Sequence, residues 1–186
     1  MPSVVLDACV LYPAALRDFL LQLVEAEVFK GHMTATILDE CFRSIQRKRA
    51  DLNPERLRAT RDAIEDAFGD LLIFDYEPLV DGLTLPDPDD RHVLAAAIQG
   101  GVPVVLTFNL RDFPAAVLAA HGVVAMHPDT FLAACVAESP DSVVAVVQKQ
   151  ADGLRNPPTT LNQLLGRLAD QGLPNTVAAI RRHLGG

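Results

Sequence analysis

The chain reads as an α/β protein: a parallel β-sheet of about five strands flanked by helices, with a C-terminal helical extension. Two observations predict this. Short apolar runs recur between helical segments, at 3–6 (SVVL), 71–74 (LLIF), 104–107 (VVLT) and 123–126 (VVAM). Strands that alternate with helices indicate β-α-β units, hence parallel pairing with helices on both faces. Beyond about residue 135 the strand-like runs stop and three amphipathic segments follow one another. Residues 1–135 are therefore expected to form the main domain and 136–186 a helical extension packed on it. With 186 residues the chain is long enough to bury its own core without disulfides or structural metal.

Each element has a local cause. The first strand ends at Asp7. Pro13 sits in the first turn of a helix over 13–29, with Leu16, Leu20, Leu23 and Val24 at helical spacing. Thr34 or Thr36 can cap the next helix, which runs through Ile37, Leu38 and Phe42 to about Arg49. Asn53-Pro54 opens a third helix, and Asp87-Pro88 opens a fourth that continues through Val93, Leu94, Ala95 and Ala97 to Gly100-Gly101. A short helix covers 114–120. In the tail, Ser139-Pro140, Thr159-Thr160 and Leu173-Pro174 open helices over about 140–154, 160–171 and 174–184.

Composition narrows the function. Net charge is −8, against a general nucleic-acid coat protein. The charge is uneven: from Ser139 onward the balance is +2, so residues 1–138 carry −10. Within that acidic part, Arg43, Arg47, Lys48, Arg49, Arg56, Arg58 and Arg61 form a local basic run. An acidic protein with a basic strip can bind a polyanion where cations neutralise its acids. Cys9, Cys41 and Cys135 are odd in number and form no C-x-x-C pair, so neither a disulfide framework nor a zinc knuckle is indicated. Reduced thiols, the lack of a signal-peptide pattern and the lack of a run of about 18 apolar residues lead us to expect a cytoplasmic protein with no membrane association.

The acids carry the chemistry. In parallel α/β sheets, ligands bind at the carboxyl ends of strands. Asp7 ends the first strand and Asp112 follows the third. Asp87, Asp89 and Asp90 lie just upstream of the third strand, and Glu40 lies on the second helix. Gathered carboxylates repel one another, and a hard divalent cation such as Mg²⁺ or Mn²⁺ compensates. Such an ion lowers the pKa of a bound water and orients a phosphodiester, so the chemistry calls for carboxylates rather than His or Cys.

The segments VVLDACVL (4–11), TATILDECFR (34–43), DPDDRHVLAAAI (87–98) and VVLTFNLRDF (104–113), in this order, resemble the PIN-domain ribonucleases. They are most similar to the branch with toxin members of bacterial toxin–antitoxin pairs. The resemblance spans roughly residues 3–135. It implies a PIN-like sheet of about five parallel strands and a Mg²⁺- or Mn²⁺-dependent endoribonuclease acting on single-stranded or looped RNA. It also implies a cognate antitoxin as partner and a homodimer. Carried over by position, Asp7, Glu40, Asp90 and Asp112 are the catalytic and metal-binding acids. Asp89 is a close second to Asp90, and Asn109 is a polar neighbour. Cys9 is a departure, since many members carry Asn or Ser two residues after the first Asp. Arg43 and Arg47 are candidates for the RNA backbone.

Each residue also has a plainer reading. Asp87 is a helix cap, Asp89 and Asp90 answer the helix dipole, and Glu40 with Arg43 is a solvated i, i+3 pair. His92 reads as a surface helix residue. Two rival functions remain. A phosphatase with Asp7 as nucleophile needs a second acid at position 9, where this chain has Cys9. A PIN-like RNA- or protein-binding module without catalysis needs none of the acids.

Overall fold

The computed structural model describes residues 1–155 and 157–185. In chain order the elements are β1 (Ser3–Leu6), α1 (Ala8–Leu11), α2 (Ala14–Glu25), β2 (Lys30–His32), α3 (Ala35–Lys48), α4 (Pro54–Ala67), α5 (Glu77–Val80), α6 (Arg91–Gln99), β3 (Val104–Leu106), α7 (Ala115–Ala119), β4 (Val124–Met126), α8 (Pro128–Glu138), α9 (Pro140–Gly153), α10 (Leu161–Asp170) and α11 (Pro174–Gly185). Among the described residues no single helix is long and apolar enough to cross a membrane.

The described strands form one sheet in the order β2-β1-β3-β4. β1 pairs with β3 in parallel, Val4 opposite Val104 and Leu6 opposite Leu106, and β3 pairs with β4 in parallel, Val104 opposite Val124. Val4, Val5, Leu6, Val105 and Leu106 are fully buried. Consecutive strand residues point to opposite faces, so this unbroken burial means both faces of β1 and β3 are covered, as parallel strands require. α6 packs on β1 and β3, burying Val93, Leu94, Ala95, Ala96 and Ala97. Three alanines in a row let its backbone come close to the sheet. Gly100 is its C-cap residue, close against the Ile73 side chain, and Gly101 turns the chain out of the helix in the left-handed conformation at φ 62°.

The sheet has four described strands rather than about five. The expected strand at 71–74 does not form: Gly69–Leu71 is a 3-10 turn, and Leu72 makes one isolated parallel bridge to Met33. Ile73 N–H donates to Met33 O, but Phe74 is already exposed. β2 comes instead from Lys-Gly-His, a stretch with no strand pattern. The helix expected over 13–29 is shorter, because Glu27 turns the chain at φ 55° and Val28 and Phe29 fold back. Pro13 is its N-cap residue, not part of its first turn. Thr34 caps α3, its hydroxyl accepting from Ile37 N–H at 3.1 Å, while Thr36 bonds the Tyr76 hydroxyl at 2.6 Å. Asn53 caps α4 as expected, accepting from the N–H groups of Glu55 and Arg56.

The chain divides into two compact units. One comprises Ser3–Tyr12 and Gly31–Met126, and so holds β1, β3, β4 and every acid singled out above. The other comprises Met1–Pro2, Pro13–Lys30 and the chain from His127 onward. In that second unit the expected tail helices form as α9, α10 and α11, joined by α8, and α2 packs with α9 and α10. Asp129, buried in the first turn of α8, accepts from the N–H groups of Asn175 and Thr176 and from both their side chains, satisfying the start of α11. Thr160 and Gln163 form a reciprocal capping box on α10.

Candidate functional site

Strand register builds the first part of the site. Leu6 lies opposite Leu106, so the next residues, Asp7 and Thr107, leave the carboxyl ends of neighbouring parallel strands side by side. Asp7 N–H donates to Leu106 O at 3.1 Å, continuing the ladder one step. The Thr107 hydroxyl, fully buried, donates to Asp7 Oδ2 at 2.6 Å, and in turn accepts from Asn109 N–H at 3.0 Å. Cys9, two residues into the turn of α1, donates its thiol hydrogen to the same Asp7 Oδ2 at 3.0 Å and accepts from Phe108 N–H at 3.3 Å. A buried carboxylate, only 4% exposed, is thereby held by two donors on one oxygen. Among the described residues Asp7 Oδ1 takes no such donor, which leaves its lone pairs for a ligand.

The departure at Cys9 thus occupies the orienting position with a weaker donor. Burial pushes its thiol up to about 12, reinforced by the neighbouring Asp7 charge. It stays protonated at neutral pH, so it acts as a donor and not as a nucleophile or thiolate ligand.

The second part comes from α3 and α6. Glu40 faces His92, with Glu40 Oε2 3.2 Å from His92 Nε2. His92 is no surface residue: its side chain is 14% exposed, against 43% for Glu40. Its other nitrogen, Nδ1, is buried with no hydrogen-bond partner among the described residues. A hydrogen on Nε2 is donated to Glu40 Oε2.

Asp90 joins the parts electrostatically. It ends the 3-10 turn Pro88–Asp90, which Asp87 caps by accepting from Asp89 N–H at 2.9 Å. The half-buried Asp90 carboxyl is pushed up to about 7, first by burial, then by the charges of Asp7, Asp87, Asp112 and Glu40. Four other carboxylates therefore bear on one. Asp112 lies in the 3-10 turn Leu110–Asp112, its side chain 18% exposed, 3.6 Å from the exposed Arg111 guanidinium.

The other candidates stand further out. Asp89 is exposed, and Asn109 reaches the network through its backbone N–H. Arg43 is exposed and lines a groove of about 250 Å³ with Arg58 and Arg61, between α3 and α4. Arg47 is exposed and donates to Ser44 Oγ at 3.2 Å. Sequence reasoning passed over Thr107 and took His92 for a surface helix residue. The T-x-N segment carried the signal for the first, because a hydroxyl one step past a buried parallel strand has only a neighbouring strand end to bond. The second lay two residues beyond Asp90, but no pattern marked its inward face.

Among the described residues, no three His, Cys, Asp or Glu side chains stand together as a ready-made coordination set. The donor chemistry nonetheless fits a hard divalent cation. The gathered groups are carboxylates, Mg²⁺ ordinarily takes only one or two of these with waters and substrate oxygens, and Asp90 shows an excess of negative charge that a cation would relieve.

Comparisons with known proteins identify the family. A family profile described as PIN domain matches residues 3–111, more than half of the chain, and one described as the VapC50 C-terminal domain matches residues 128–182. A Mycobacterium tuberculosis protein named "Putative ribonuclease VapC50" is 38% identical over 93 residues. That stretch is 50% of this chain and 54% of the relative, so the match spans about half the relative's length. No solved structure matches significantly.

Proposed function

Since this chain belongs to the PIN-domain family, its acids have a reaction to serve, and we propose that it is a Mg²⁺- or Mn²⁺-dependent endoribonuclease, the toxin of a toxin–antitoxin pair. The observation that carries the reading is Asp90: a carboxyl raised to about 7 among four other carboxylates, at the carboxyl end of a parallel sheet. A strongly perturbed acid among gathered carboxylates at such a place has the character of a functional site. The relative's name points to the same activity.

Asp7 and Asp90 are the residues that would hold the cation, with Glu40 and Asp112 reaching it directly or through water. The ion, when bound, supplies charge neutralisation and a more acidic water. The chain's own residues do the rest. Thr107 and Cys9 fix the Asp7 carboxylate so that one oxygen stays turned to ligand. His92 fixes Glu40, which positions the attacking water and takes its proton. The water oxygen bonds to phosphorus, the bond from phosphorus to the 3′-oxygen breaks, and that oxygen takes a proton from solvent as it leaves. The products carry 5′-phosphate and 3′-hydroxyl ends. A cognate antitoxin peptide covering the acids, a homodimeric state and cytoplasmic action belong to the same proposal.

The test is cleavage of single-stranded RNA in Mn²⁺ by wild type, Asp7→Asn and Asp90→Asn, beside thermal unfolding across a Mn²⁺ titration. We expect cleavage and a rising midpoint in the wild type and loss of both effects in Asp90→Asn. Cleavage retained by both variants would end the assignment. A wild type that neither responds to millimolar Mn²⁺ nor cuts RNA would leave the non-catalytic binding module as the better account.

A further inference from the structure

We infer that the pocket beside the acids, between α1 and α3, is a subsite for one nucleotide of single-stranded RNA, with the base against Tyr12 and the adjoining phosphate on Lys48. The inference rests on the ribonuclease reading and extends it to how the substrate strand is held.

The pocket has a volume of about 280 Å³, on the scale of a nucleoside, and is lined by Ala8, Cys9, Tyr12, Glu40, Ser44 and Lys48. Two of its walls, Cys9 and Glu40, belong to the acidic site itself, so whatever fills the pocket adjoins the reacting centre. Glu40, Ser44 and Lys48 are spaced by four along α3 and share one helix face, which places Lys48 about 12 Å along the axis from Glu40. That face leads from the acids to a cation and an aromatic ring. Lys48 Nζ stands over the Tyr12 ring, 4.9 Å from its centroid. Among the described residues it forms no salt bridge. Ser44 accepts from Arg47, which keeps a second cation at the rim.

An aromatic face next to a cation is what single strands ask for. Bases stack on aromatic rings whatever their sequence, and basic side chains follow the phosphates. The ammonium on the Tyr12 ring has an electrostatic substitute when RNA arrives: the base takes the ring face and the phosphate takes the ammonium. Cations matter here more than on an ordinary surface, because the neighbouring acids repel a phosphodiester. Arg43, although only three residues from Glu40, lines the separate groove with α4, so Lys48 and not Arg43 shares the pocket with Glu40. Lys48 also lies in the last turn of α3, where it can answer the helix dipole, and the experiment must separate that role from RNA binding.

The experiment uses the full chain carrying Asp90→Asn to suppress cleavage. A fluorescein-labelled single-stranded oligoribonucleotide is titrated in Mg²⁺, with anisotropy read at several salt concentrations. Tyr12→Leu should weaken binding by about 5- to 150-fold, the range of a lost stacking platform, while Tyr12→Phe retains it. Lys48→Gln should weaken binding at low salt and reduce the slope of log affinity against log salt by about 0.7, one single-strand phosphate contact. A purely structural role for either residue moves the unfolding midpoint and leaves the salt slope alone. If the parent chain binds RNA, and Tyr12→Leu and Lys48→Gln match it in affinity and slope, the subsite is refuted while the nuclease stands. If the wild type neither binds nor cuts RNA in Mn²⁺, the ribonuclease reading fails and takes the subsite with it.

Discussion

Replacing Asp90 with Asn should stabilise the metal-free protein, and only above mildly acidic pH. In the folded chain this carboxyl sits at about 7 against an ordinary 3.8, raised by burial and by Asp7, Asp87, Asp112 and Glu40. A raised acid holds its proton more tightly folded than unfolded. Its cost to stability is therefore absent below 3.8, grows as pH rises towards 7 and is complete above that. Each pKa unit is worth about 1.36 kcal/mol, so the full shift corresponds to about 4 kcal/mol. The site is open to solvent, and screening roughly halves that to about 2 kcal/mol. For a chain of this size the gain is about 4–8 °C in midpoint. The assay is thermal unfolding of wild type and Asp90→Asn in EDTA at pH 8 and pH 4.5. We expect the variant to be higher by that margin at pH 8, with about half of the gap left at pH 4.5. Millimolar Mn²⁺ should reverse the order at pH 8, since binding at 100 times Kd stabilises the folded wild type by about 2.7 kcal/mol. A gap independent of pH, or a variant less stable than wild type at pH 8 in EDTA, would refute the electrostatic account.

Three other perturbations probe separate links. Thr107→Val removes the shorter of the two donors to buried Asp7 and should cost about 1–3 kcal/mol in urea unfolding, with cleavage falling further than stability because Asp7 loses its orientation. His92→Leu should lower RNA cleavage and Mn²⁺ affinity by about 10- to 100-fold, read by turnover and calorimetry, whereas His92→Gln, which keeps a donor facing Glu40, should recover most of both. Asp129→Ala strips the acceptor from Asn175 and Thr176 and should cost about 3 kcal/mol, with the first amides of α11 losing hydrogen-exchange protection before those of β1 and β3.

How far the sequence could be read depended on whether a residue's role was local. Caps are local, so Asn53-Pro54 and Asp87-Pro88 opened turns where expected, and Thr160-x-x-Gln163 closed on itself. Buried parallel strands announce themselves as apolar runs, so β1, β3 and β4 were legible. Leu71–Leu72–Ile73 was equally apolar and is not a strand, because among the described residues its strand-like partner is the single residue Met33, just past the end of β2. β2 was illegible for the converse reason: Lys30-Gly31-His32 has no β-forming pattern and is placed by its neighbour in the sheet. α8 was missed because its outer side carries Ala133, Ala134 and Ala137 rather than polar residues, so its buried face of Phe131, Leu132, Cys135 and Val136 does not stand out as a stripe. Of the site, the acids were visible as residue types and their electrostatic coupling to Asp90 was foreseeable from strand ends. The groups that orient them, Thr107 and His92, act across 100 and 52 residues of chain, beyond any local pattern.

Asp90 and Asp129 show why that distinction matters for function. Both are aspartates in the first turn of a helical segment, where a carboxylate can answer the helix dipole. Asp129 is 4% exposed. Burial opposes its charge, yet the N–H groups of Thr176 and Asn175 and their side chains outweigh it and hold the carboxyl below its ordinary range. Nothing is left over for a ligand, and its charge strengthens the fold as pH rises. Asp90 is less buried but meets four carboxylates instead of four donors, so its charge weakens the fold as pH rises. A chain selected for stability alone has no reason to leave it so, since an amide of the same shape would remove the cost. Under the proposed function the arrangement has a use, because a divalent cation would relieve the repulsion that destabilises the site without one.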